Sequence, residues 1–180
     1  MQTDSKQLIT DLLLLTDNLT ARVLQLKALD TTKLNYKQNS GKWSVLECIE
    51  HLNLYGDYYL PEIERAILAQ RPASSAPVFK SGLLGNYFAN LMRADAVPGK
   101  MKSPKDKNPA NSALTITTID RFLKQQERLK TLLTQARQVN LTKTKTSISI
   151  SKLVKLRLGD TFRFLIFHIE RHVKQAERAA

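Results

Sequence analysis

The chain has 180 residues, a hydrophobic share of 42% and a formal net charge of +12. That length suits a single domain spanning 1–180 with a proper core, and leucines at helical rather than alternating spacing exclude disorder and favour an all-α fold. Asp4, Asp11 and Asp17 interrupt the leucines of the first segment, which argues against a secretory signal or membrane anchor and predicts a cytoplasmic protein.

The charge is uneven. Residues 1–70 carry 7 Lys/Arg against 9 Asp/Glu, a net −2, whereas residues 71–180 carry 21 against 7, a net +14. Solubility through net charge is one reading, and attraction of an anionic partner, nucleic acid or a small acidic substrate, is the other. No basic run is interleaved with aromatics, and Lys100–Lys107 sits among prolines, so neither a base-stacking platform nor a groove-entering helix is evident. The lone Cys48 has no partner for an internal disulfide and reads as a small buried hydrophobe.

Leu8, Leu12, Leu15, Leu19, Val23 and Leu26 recur at steps of three or four and predict a first helix from about Asp4 to Leu29. Residues 30–42 are polar and end in Ser40-Gly41, a turn composition. Ser44-Val45-Leu46-Glu47 fits a capping box and opens a second helix, expected to reach about Gln70 with a kink or break at Pro61. Trp43, just before the cap, reads as a hydrophobic staple residue.

Five prolines between Arg71 and Ala113 mark a long connection that lets the second and third helices run parallel. Within it, Leu83, Leu84, Tyr87, Phe88, Leu91 and Met92 predict a short amphipathic helix over 82–96, packed across one end of a bundle. A third long helix follows over about Thr117–Val139. Residues 140–156 read as a linker in extended coil, because the alternation Ser147-Ile148-Ser149-Ile150 has no obvious pairing partner. The last helix is predicted from a cap at Asp160 to about Ala179, with Phe162, Leu165, Ile166, Ile169 and Val173 in its apolar stripe. Four long helices joined in this way predict a four-helix bundle, whose sites are built from side chains facing its core.

His168 and His172 are one helical turn apart, differ by about 40° on the wheel and project to the same side. His51 shares a face of the second helix with Glu47, Leu54, Tyr55 and Tyr58. These are the three histidines of the chain, each on the inward margin of a predicted helix. One inward histidine is commonly a hydrogen-bonded core residue. Three together favour convergence on one divalent metal, with a fourth coordination position left open as in catalytic zinc sites. Glu47 has two readings, a capping carboxylate or a group that orients His51 or accepts a proton. It is the one catalytic candidate. Tyr55, Tyr58 and Gln175 are placed in or behind the pocket.

The segment Trp43-Ser44-Val45-Leu46-Glu47-Cys48-Ile49-Glu50-His51-Leu52, followed far downstream by His168-Ile169-Glu170-Arg171-His172-Val173-Lys174-Gln175, resembles the two motifs of the DinB-like family. The resemblance implies an up-down-down-up four-helix bundle in which His51, His168 and His172 bind a metal, zinc or nickel leading. It also implies either metal-dependent hydrolysis or transfer chemistry with a low-molecular-weight thiol cosubstrate, acting on a small molecule, and pairing of two copies as a homodimer. The alternative is a non-catalytic helical bundle, associated with nucleic acid through its basic second half.

Overall fold

Apolar residues three and four apart build the four long helices, and short polar side chains fix where two of them begin. The computed structural model describes residues 1–39, 41–70, 75–93, 95 and 103–180. Helix α1 (Ser5–Lys27) is capped by Asp4, whose carboxylate accepts the Gln7 amide at 2.8 Å. A short α2 (Thr31–Asn35), capped by Asp30, occupies part of the polar stretch expected to be turn alone. Helix α3 (Val45–Leu68) starts at the predicted capping box. The Ser44 hydroxyl accepts the Glu47 amide at 3.2 Å and the Glu47 carboxylate accepts the Ser44 amide at 3.0 Å.

Helix α3 continues unbroken through Pro61. The hydrogen bond lost there is offset by anchors on either side. Tyr58 donates to the Ile148 carbonyl, the Ser147 amide donates to Glu62, and Ile63 is fully buried. Helix α4 (Leu83–Met92) is the short amphipathic helix, and Ala94 and Ala96 of its expected end lie outside the described residues, as do Ser40, Pro72, Pro98 and Lys100. Helix α5 (Thr117–Gln135) ends in a single 3-10 turn, Ala136–Gln138, and α6 (Leu158–Ala179) closes the chain.

The protein is thus mostly helical. Helix α3 lies against α5 and α6, and α1 lies against the same two helices. Leu19, Val23, Ile49, Ile63, Phe122 and Phe162 fill the space between them, all inaccessible to solvent. Among the described residues no helix is long and apolar enough to cross a membrane.

Two small antiparallel sheets were not expected. Strand β1 (Gln2–Asp4) pairs with β2 (Val78–Lys80), clipping the start of the chain to the long connection. Strands β3 (Lys145–Ile148) and β4 (Ser151–Arg157) form a hairpin with an irregularity between Ser147 and Ile148, which corrects the expectation of extended coil over 140–156. The partner of the Ser147-Ile148 alternation is the basic run behind it. Ile148 and Leu156 are buried, while Glu62 of α3 accepts both the amide and the hydroxyl of Ser147 at 2.8 Å.

The start of α6 also differs. The helix begins at Leu158, not after a cap at Asp160, because its first amides are satisfied by backbone: Leu158 donates to the Thr144 carbonyl at 2.9 Å and Gly159 to that of Leu141 at 3.2 Å. Asp160 is thereby released for another task. Fully buried, its carboxylate accepts from the Ser81 hydroxyl, the Gly82 amide at 2.8 Å and Arg163 at 3.1 Å. Arg163 also donates to Asn86 and Asn90 of α4, so a buried ion pair fastens α4 along α6. Gly85 permits this approach, since a Cβ there would overlap the Asp160 side chain.

Candidate metal centre

Helix α3 delivers His51 and helix α6 delivers His168 and His172 to one point, with imidazole centroids 4.5–5.0 Å apart. His51 and His168 are buried and His172 is partly so. One ligand nitrogen from each ring lies within 4.8 Å of the others, and the Nε2 atoms of His51 and His168 face each other at 3.2 Å. Tetrahedral ligands around zinc, at bonds of about 2.1 Å, lie roughly 3.4 Å apart, so this pair already has the required spacing.

Tautomers follow from the partners. The Nδ1 of His51 lies 2.6 Å from the Lys107 carbonyl, which only accepts, so Nδ1 carries the proton and Nε2 presents its lone pair. The Nδ1 of His172 likewise donates to the Gln175 side-chain oxygen at 2.9 Å. His168 is not satisfied by the described residues alone. If its Nε2 donates to His51, its buried Nδ1 is a bare lone pair with no partner among the described residues; if its Nδ1 holds the proton, two Nε2 lone pairs confront each other. A cation between the rings removes that repulsion, so the donor set fits a divalent metal.

Burial keeps all three rings neutral. It holds His51 down at about 4 and His172 at about 3, against an ordinary 6.5. His168 is pushed well below its usual range, first by burial and then by the adjacent His172 and His51. Neutral imidazole is the form that ligates a metal.

The rings open onto a cavity of about 670 Å³. Tyr55 and Gln175, expected at the site, line it. Trp43 also lines it, its ring 4.8 Å from that of His51 and 5.9 Å from that of His172, beyond the staple role that its place before the cap suggests. Phe164, stacked on His168, and Arg171 complete this side of the wall. Sequence reasoning missed both. Phe164 and Arg171 fall at i−4 and i+3 from His168, a spacing that marks them as neighbours of the ligand face.

Glu47 and Tyr58 are not in the cavity wall. Tyr58 bonds Ser147 and Ile148 of the hairpin. Glu47, buried, accepts from Ser44, from Lys37 at 2.6 Å and from the Asn111 amide at 2.7 Å. Burial raises its pKa and these donors lower it, with the balance falling below the usual carboxylate value. Burial pushes the Cys48 thiol up to about 12, as suits a small core residue.

No curated protein and no solved structure matches the chain. The DinB superfamily model matches residues 15–176, a span that includes all three histidines, both motifs, the whole of α3 and α5 and parts of α1 and α6. The chain belongs to the DinB superfamily.

Proposed function

We propose that the chain is a metal-dependent enzyme, a single domain over 1–180 built as an up-down-down-up four-helix bundle, in which His51, His168 and His172 hold one divalent ion, zinc or nickel. The observation that carries this reading is the meeting of three neutral imidazoles, one of them without a partner for its Nδ1 among the described residues, at the wall of a cavity large enough for a small molecule. A divalent ion so held supplies Lewis acidity toward a water or a low-molecular-weight thiol, the two chemistries known in the family.

The remaining roles belong to the chain itself. Lys107 and Gln175 orient the rings of His51 and His172. Glu47, through Asn111, anchors the loop that carries the Lys107 carbonyl, so it acts as a positioning residue rather than a proton acceptor. Trp43, Tyr55 and Phe164 pack around the rings and exclude bulk water. Two copies pair as a homodimer on the strength of the family resemblance.

Zinc- or nickel-loaded protein assayed for ester and amide hydrolysis, and for transfer of a low-molecular-weight thiol to an electrophile, tests the proposal. Turnover that is abolished by a chelator and by His51→Ala supports it. Absence of turnover, together with nucleic-acid binding that falls steeply with salt and ignores chelators, would assign the chain to the basic, non-catalytic alternative.

A further inference from the structure

The cavity beside the three histidines has a one-sided charge. Among the described residues its charged wall residues are Lys42 and Arg171, and no Asp or Glu lines it. Lys42 is exposed, whereas Arg171 is partly buried and adjoins His172 in the chain. Among the described residues, which include every Asp and Glu of the sequence, no carboxylate pairs with Arg171. Its neighbour Glu170 is taken by Lys174 at 2.8 Å.

The guanidinium is held rigidly by the end of α4. Nε donates to the Met92 carbonyl at 3.2 Å, and Nη2 donates to those of Leu91 and Arg93 at 2.8 Å. Nη1 has no partner among the described residues. A partly buried, pre-oriented guanidinium with one nitrogen unpartnered among the described residues is a receptor for an anion. The rest of the wall is largely apolar, with Phe88, Leu91, Leu156 and Phe164 among its residues.

We propose that Arg171 and the histidine centre form a two-point site for an apolar small molecule bearing a carboxylate or similar anionic group, with the anion on Arg171 and the reacting end at the histidines. This rests on the metalloenzyme reading for the reacting end only. The anion site is testable in metal-free protein, so a failure of metal loading leaves it standing or falling by itself.

Octanoate and its neutral counterpart octanamide serve as probes for chelator-treated protein, with the emission of Trp43, the sole tryptophan, reporting occupancy of this cavity. Wild type is expected to bind octanoate roughly tenfold or more tightly than octanamide. Arg171→Gln, which keeps a donor for the α4 carbonyls but loses the charge, is expected to bring the two within about twofold while octanamide affinity is retained. Arg171→Lys keeps the preference. Equal affinities in wild type, or a preference that survives Arg171→Gln, overturn the proposal.

Discussion

The backbone carbonyl of Lys107 meets Nδ1 of His51 at 2.6 Å, so a residue of the proline-bearing connection sets the tautomer of a histidine on α3. The connection is itself held down: Ser103 donates to the same carbonyl at 3.0 Å, and four residues beyond Lys107 the Asn111 amide donates to Glu47 at 2.7 Å. Asn111 adopts φ 65°, a left-handed conformation that asparagine tolerates, and its side chain accepts from Lys37 at 3.3 Å.

Glu47 therefore acts on His51 through a loop, not through direct contact. Glu47→Ala is expected to weaken zinc binding by roughly 10–100-fold, the usual effect of losing an outer partner of a metal ligand. The ring 15N shifts of His51 should move from a single tautomer toward a mixture. Ser44→Ala, which removes the same helix cap at about 1 kcal/mol, should leave both unchanged. Calorimetric zinc titration and nitrogen NMR check this, and equal effects of the two substitutions would locate the role of Glu47 in the cap alone.

Acid should destabilise the metal-free protein over a defined range. Because burial lowers the folded-state pKa of His51 to about 4 and of His172 to about 3, the unfolded chain takes up these protons first, near 6.5. The contribution is fully present above 6.5 and is lost as pH falls from there toward the folded values, at about 1.4 kcal/mol per unit for each ring. Urea unfolding should show a loss on the order of a few kcal/mol between about pH 7 and about pH 4. The double variant His51→Gln/His172→Gln should flatten that dependence, and an unchanged slope would show that these rings ionise normally.

The Asp160–Arg163 pair makes a third prediction. Arg163→Leu strands a fully buried carboxylate and should cost about 3–5 kcal/mol, read by urea unfolding. Gly85→Ala, which forces a methyl group against Asp160, should cost about 1–3 kcal/mol. A loss below about 1 kcal/mol for Arg163→Leu would mean that the pair does not fasten α4.

What the sequence made legible was local. The Ser44–Glu47 cap and the one-turn spacing of His168 and His172 are each written in four or five consecutive residues, and the structure reproduces both. That His51 joins them depends on α3 packing against α6, yet its inward margin was readable from the helical wheel. Non-local pairings left little trace. Strands β1 and β2 are three residues each and lie about 75 positions apart in the chain, too short for any periodicity to register. Strand β4 alternates beneath a basic composition, with Leu153 outward and Leu156 inward, and so read as linker. Asp160 has the composition of a cap, but tertiary backbone carbonyls took over that function and moved the helix start three residues earlier. Arg171 read as an ordinary polar residue of the last helix because the cavity that gives it meaning is closed by α4, which no local pattern places there.

The central claim is tested most directly by the metal content of untagged protein, measured by elemental analysis for wild type, His51→Ala and His168→Ala/His172→Ala, each verified as folded by circular dichroism. We expect close to one zinc or nickel per wild-type chain and a loss of the metal in both variants. A wild-type protein that contains no metal and cannot be loaded with zinc, nickel, iron or manganese would contradict the metalloenzyme reading.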